Sequence, residues 1–123
     1  MKYLLLINKD EARFRSLPDD EREALLARYA DYGGSMIAAG VLRAGAVLRP
    51  SDTATTVRVR DGKRLITDGP FAETAEQIAG VAIIEVEDLN AALDWAAGHP
   101  DAAWASVEIR PLVPWQPPPG VGG

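Results

Sequence analysis

Asp68-Gly69-Pro70-Phe71-Ala72-Glu73 stands between two strand-like runs, Arg64-Leu65-Ile66-Thr67 and Val81-Ala82-Ile83-Ile84-Glu85-Val86. It is a compact turn sequence with an acid at each end and one exposed-looking aromatic. A loop held by a sheet is a favourable mount for functional groups, because the scaffold fixes them without burying their backbone polar atoms. The run before it closes a hairpin, and the run after it opens the second half of the chain.

Upstream, Asp61-Gly62 is a tight-turn dipeptide. It joins Arg64–Thr67 to Thr55-Thr56-Val57-Arg58-Val59-Arg60, whose alternation predicts a half-exposed strand. Val41 to Leu48 reads as a further strand, ending at Arg49-Pro50-Ser51-Asp52. Before it, Ser16-Leu17-Pro18-Asp19-Asp20-Glu21 marks a helix start, with proline in the first turn and acids beside the positive dipole end. That helix is expected to reach Ala39 and stop at Gly40, a left-handed C-terminal cap. Leu25, Tyr29, Tyr32 and Met36 form its apolar stripe. Gly33-Gly34 within it costs about 1 kcal/mol per glycine relative to alanine, which points to close packing, a kink or drift. Lys2 to Ile7 is a continuous apolar run, as in a central strand.

Downstream, Glu73 to Gln77 reads as a single helical turn and Gly80 to Val86 as a strand. Asp88 caps a second helix with the stripe Leu89, Ala92, Leu93 and Ala96, ended by Gly98-His99-Pro100. Ala105 to Leu112 gives the last strand. The tail from Val113 to Gly123, with Pro117-Pro118-Pro119, is expected to be extended, anchored if anywhere at Trp115.

With the hairpin set aside, the order is βαββαβ: an α+β, ferredoxin-like arrangement with both helices on one face of an antiparallel sheet. The other face needs a cover, most simply a second copy. Leu4, Leu6, Val81, Ile83, Val107 and Ile109 are available to line it, although alternation alone does not assign sides. Residues 1–112 make one domain and 113–123 a Pro/Gly-rich tail. A chain of 123 residues can bury a core without cross-links. The absence of cysteine excludes disulfides, thiolate metal sites and Cys nucleophiles, and a single histidine is too few for an ordinary catalytic zinc site. A net charge of −5 disfavours phosphate-backbone binding. The only local basic group, Arg58, Arg60, Lys63 and Arg64, reads as a solvated strand face. No apolar run is long enough for a signal peptide or a membrane span, so a cytoplasmic protein is expected.

The segments Met1–Ile7, Thr53–Arg58, Thr67–Thr74 and Ser106–Pro111, in that order and spacing, resemble the YCII-related family, specifically its Asp-Gly-Pro-Phe (DGPF) branch. The resemblance runs to about residue 112. It implies a dimeric α+β barrel in which two ferredoxin-like sheets face each other, with a pocket between each sheet and its helices. Some relatives take part in dehalogenation or lactone chemistry, and many are encoded beside extracytoplasmic-function sigma factors. A His–Asp pair with the histidine on the first helix has been proposed for the broader family. Here that helix carries Tyr29 and Tyr32 and no histidine, so the mechanism does not transfer intact. Ala75 stands where the branch usually has lysine, and Ala79-Gly80 where it has Gly-Gly.

Asp68 is the first candidate for a functional acid, since a carboxylate at the mouth of an apolar cavity suits proton transfer at neutral pH. It also suits an Asx turn before Gly69-Pro70. Phe71 either walls a ligand pocket or packs under its loop. Glu73 is a second acid or simply begins a helical turn. Tyr29 and Tyr32, on the sheet-facing stripe, either offer phenols to a ligand or satisfy them in the core. His99 closes a helix, where an imidazolium would meet the negative dipole end. Arg110, alternating with core positions, is solvated or holds an anion. Dinucleotide, phosphate-loop, Ser-His-Asp and HExxH patterns are absent.

Three functions compete. The first is a small cofactor-free lyase or isomerase using Asp68 and Tyr29 as catalytic groups on a small polar molecule, with Tyr32, Phe71, Glu73 and Arg110 binding it. The second is a non-catalytic ligand-binding or accessory protein working alongside a sigma factor. The third is a dimeric packing module.

Overall fold

The structure, a computed structural model, describes residues 1–114 and 116–120. Its elements are β1 (Lys2–Asp10), α1 (Glu11–Ser16), α2 (Asp19–Ala38), β2 (Leu42–Val47), β3 (Thr55–Arg60), β4 (Lys63–Asp68), β5 (Glu76–Glu85), α3 (Leu89–Gly98) and β6 (Ser106–Pro111). Short 3₁₀ turns lie at Ser51–Thr53 and Pro100–Ala103. The main sheet has four strands in the order β2-β5-β1-β6, and every neighbour is antiparallel. Among the described residues β3 and β4 pair only with each other. Without that hairpin the topology is the ferredoxin-like one.

Local chemistry explains the boundaries. Pro18 precedes α2, its first turn carries Asp19, Asp20 and Glu21, and Gly40 follows it with φ +70°. Arg22 ties the entry together, donating to Asp19 and to the carbonyls of Arg15 and Leu17. The Asp88 carboxylate accepts the Ala91 N–H to cap α3. Asp61 and Gly62 both have positive φ, as a two-residue hairpin turn demands.

Register assigns the faces of the sheet. Leu5 lies opposite both Ala82 and Ile109, Tyr3 opposite Ile84, and Ile7 opposite Val107. These residues turn towards the helices, where Tyr3, Leu5, Met36, Ala82, Ile84, Ala92 and Ala96 form the core. Leu4, Leu6, Val81 and Ile83 occupy the other face with Ala44 and Ala46, bordered by Glu108 and Arg110 of β6. Val107 and Ile109 were expected among the open-face set. They pack against the core instead, because antiparallel pairing with β1 puts them beside Leu5 and Ile7.

Other expectations need correction. Glu73–Gln77 forms no helical turn. β5 begins at Glu76, where Glu76 and Gln77 pair with Asp10 and Lys9, so partner hydrogen bonds override the local helix signal. The six-residue α1 was not foreseen; the Asp10 side chain caps it by accepting from the Arg13 N–H. In α3 only Ala92 and Ala96 of the apolar stripe are buried, and Leu89 and Leu93 remain exposed. Trp115 lies outside the described residues.

Candidate functional site

A cavity of about 440 Å³ lies between α2 and the β2–β5 side of the sheet. That volume falls within the range of small-molecule sites. Small residues make the space. Gly33 of α2 faces it, and a Cβ built there would meet nothing within 4 Å. Gly45 and Gly80 contribute to its sheet wall. A Cβ on Gly80 would stand 3.1 Å from the Ala46 carbonyl, so glycine permits the close approach of β2 and β5. The pair Gly33-Gly34 is therefore not a close contact: Gly33 opens the cavity and Gly34 faces solvent within one uninterrupted helix.

Polar chemistry gathers at one end of this cavity. Asp101, only 1% exposed, sits in the 3₁₀ turn after α3. Its Oδ1 accepts the Tyr29 hydroxyl in a short hydrogen bond and the Trp104 Nε1–H at 3.1 Å. The Asp101 backbone N–H donates to His99 Nδ1 at 3.0 Å. That bond requires an unprotonated Nδ1, so the neutral imidazole carries its proton on Nε2. His99 is 8% exposed and is enclosed by rings. Tyr29 stacks on it at 5.6 Å, and Tyr32 meets it edge-on at 4.8 Å. Tyr32 donates its hydroxyl to the Trp95 carbonyl at 2.7 Å.

The electrostatics follow from burial. Desolvation, followed by the bond to Asp101 and that residue's charge, holds the Tyr29 phenol protonated well above its ordinary range. Burial pushes Tyr32 up to about 12. Burial also lowers His99; Asp101 opposes that shift, and the nearby Lys9 charge adds to it. His99 is thus a neutral ring accepting a backbone N–H, and not the dipole-facing cation its position at the helix end suggested.

Three polar atoms of the cluster have no hydrogen-bond partner among the described residues: Asp101 Oδ2, His99 Nε2 and Lys9 Nζ. No fully buried side-chain nitrogen or oxygen in that set lacks a partner. These three atoms are therefore not fully enclosed, although Asp101 keeps only 1% exposure, and all three residues line the cavity. Among the described residues, no group of three or more His, Asp or Glu side chains is arranged to hold a metal ion.

The structure divides the residues singled out from sequence. Tyr29 and Tyr32 line this cavity. Asp68 and Glu73 line a different hollow of about 520 Å³, with Asp10, Glu11, Arg15 and Asp52. Asp68 ends β4 and is exposed; Gly69 after it has φ +106° and donates to the Ala54 carbonyl at 2.7 Å. Phe71 is 81% exposed, with Arg58 5.4 Å from its ring centre. Arg110 pairs with Glu108 on the open sheet face. Sequence reasoning missed Asp101, Lys9 and Trp104. The available signal was His99-Pro100-Asp101, with Trp104 one turn later: imidazole, acid and indole on a single short turn.

A ferredoxin-like α+β protein with a helix–sheet cavity and an acid–phenol–imidazole cluster at its end is the class these features define. The YCII-related domain model matches residues 1–116, and the chain belongs to the YCII-related family. An uncharacterized protein of Rhizobium meliloti (strain 1021) is 34% identical over 119 residues, spanning 95% of this chain and 96% of the relative. Among the described residues no helix is long and apolar enough to cross a membrane.

Proposed function

We propose that the helix–sheet cavity is the working site of a small cofactor-independent enzyme of the lyase or isomerase type. Its substrate is a small polar organic molecule, and its chemistry is acid–base. Asp101 takes the role first assigned to Asp68. Its Oδ2 has no protein hydrogen bond and the residue lines the cavity, while Oδ1 is fixed by Tyr29 and Trp104, an arrangement that suits removal of a proton next to a carbonyl. The His99 Nε2–H is a neutral donor for the oxygen on which charge develops. Tyr29 positions the acid, because its own proton is already given to Oδ1. The observation carrying this reading is the buried Asp101 carboxylate, held by two donors on one oxygen and left without a protein partner on the other.

The test is proton exchange. Small carbonyl compounds that bind, as detected by thermal shift, are incubated with the protein in D₂O, and loss of their α-proton signal is followed by NMR. Catalysed exchange by the native protein and its loss in Asp101→Asn is the expected result. Binding without exchange for every compound would overturn the enzyme in favour of a ligand-binding protein. One feature favours that second reading: both cavity phenols already spend their protons on protein acceptors.

We also propose that a second copy covers the open sheet face. Leu4, Leu6, Val81 and Ile83 form an apolar centre with the Glu108–Arg110 pair at its border, and antiparallel strands let one such surface meet its own copy. Analytical ultracentrifugation should find a dimer that Leu4→Asp converts to monomer. A monomeric native protein would contradict it.

A further inference from the structure

Lys9 is the cavity residue that the acid–base scheme leaves unused. Tyr3, Leu5, Ile7 and Lys9 alternate on the helix-facing side of β1, and the register of β1 against β5 slips between Ile7 and Asn8. The extra residue at that slip is Ala79 of β5, since Ile7 pairs with Gly80 and Asn8 with Ile78, and a bulge locally bends and twists the sheet beside a site. The Lys9 Nζ lies 4.1 Å from the centre of the Phe14 ring and 4.9 Å from that of Tyr29. The faces of these rings attract a cation but do not neutralise it.

Among the described residues no carboxylate oxygen stands within 4 Å of the Lys9 Nζ, the unpartnered Asp101 Oδ2 included. Asp10 caps α1 at the Arg13 N–H, and Glu11 receives the Ser51 N–H and hydroxyl. Asp101 Oδ1 holds Tyr29 and Trp104. Among the described residues no ion pair includes Lys9. A half-buried ammonium with two aromatic faces and no counter-ion is a ready acceptor for an anionic group on a ligand.

Resting on the assignment of this cavity as the ligand site, we propose that its ligand is a small carboxylate. The carboxylate pairs with Lys9 Nζ, and the apolar body lies against Ile7, Met36 and Ala82. A carboxylate fits better than a phosphate. Phosphate sites ordinarily gather several donors, from arginine or from successive backbone N–H groups at a helix start. Among the described residues Lys9 is the only Lys or Arg lining the cavity.

The experiment uses matched acid and amide pairs: acetate with acetamide, isobutyrate with isobutyramide, and benzoate with benzamide. Each is titrated by ¹H–¹⁵N NMR into the native protein and into Lys9→Gln and Lys9→Arg. At least one acid should bind about tenfold more tightly than its amide, with the preference shrinking as salt is raised. Lys9→Gln should abolish the preference with the amide unaffected, and Lys9→Arg should retain part of it. Amides that bind in the cavity as well as their acids, or an acid preference that survives Lys9→Gln, would overturn the carboxylate and leave the cavity standing. Failure of every compound to perturb the cavity amides in the millimolar range would remove both.

Discussion

The stretch His99–Trp104 and the loop at 68–73 hold comparable parts, each with an acid and an aromatic close to a proline, and the fold uses them in opposite ways. In the turn, Asp101 is buried beneath α2 and receives Tyr29 and Trp104, and its backbone fixes the tautomer of His99. In the loop, Asp68 and Glu73 face solvent, and Phe71 has little cover beyond Arg58. The loop adjoins a two-stranded hairpin that stands apart from the main sheet, a kind of unit that is marginal alone in water. The turn is held by two helices and the sheet. The turn therefore offers a desolvated acid in a fixed geometry, and the loop, although the more conspicuous sequence, offers an exposed one.

Substitutions that treat the two acids alike would break this contrast most directly. Asp101→Ala leaves the Tyr29 hydroxyl and the Trp104 N–H without their acceptor. It should cost about 3 kcal/mol in urea unfolding, against about 0.5 kcal/mol or less for Asp68→Ala. Equal losses would show that the loop acid is structurally engaged. Tyr29→Phe removes one charge-assisted bond and should cost about 2 kcal/mol by the same measurement, whereas Phe71→Ala should be nearly neutral.

A third pair of variants sharpens the boundary between cavity and surface on one helix. Gly34→Ala should stabilise the protein by about 1 kcal/mol, since its added Cβ meets nothing and alanine favours the helix. Gly33→Leu should fold as well as the native protein yet lose ligand thermal shifts, because its side chain occupies the cavity.

The smallest expected effect is on pH dependence. The unfolded chain takes up a proton on His99 near the ordinary 6.5, while the folded chain resists protonation until a lower pH. Stability should therefore fall as pH drops from about 6.5 towards the folded value and gain nothing from this group above 6.5. Urea midpoints compared on either side of that window should show this slope in the native protein and not in His99→Gln.

The fold was legible because most strands and the two long helices announce themselves locally, the short α1 excepted. Pro18 with three acids, Asp88, Asp61-Gly62 and Gly40 all mark boundaries that the structure keeps. Sidedness was less legible: alternation groups Val107 with Ile109, but only pairing with Leu5 and Ile7 places both on the core side. The same holds for Glu76 and Gln77, whose polar character gives no strand signal and whose conformation comes from β1. At the site, the stripe of α2 correctly brought Tyr29 and Tyr32 to the sheet-facing side. Their partner did not show, because the bond from Tyr29 to Asp101 crosses 72 positions and no spacing rule links them. An acid behind a proline reads as a turn residue until its neighbours are known.

Amide chemical-shift mapping decides most directly whether the cavity or the loop is the working centre. A panel of small carbonyl compounds, charged and neutral, is added to ¹⁵N-labelled protein and the glycine amides are followed. Shifts are expected at Gly33, Gly45 and Gly80, which line the cavity, with Gly69 unmoved. Shifts concentrated at Gly69 and its neighbours through Glu73, with Gly33 and Gly80 silent, would contradict it.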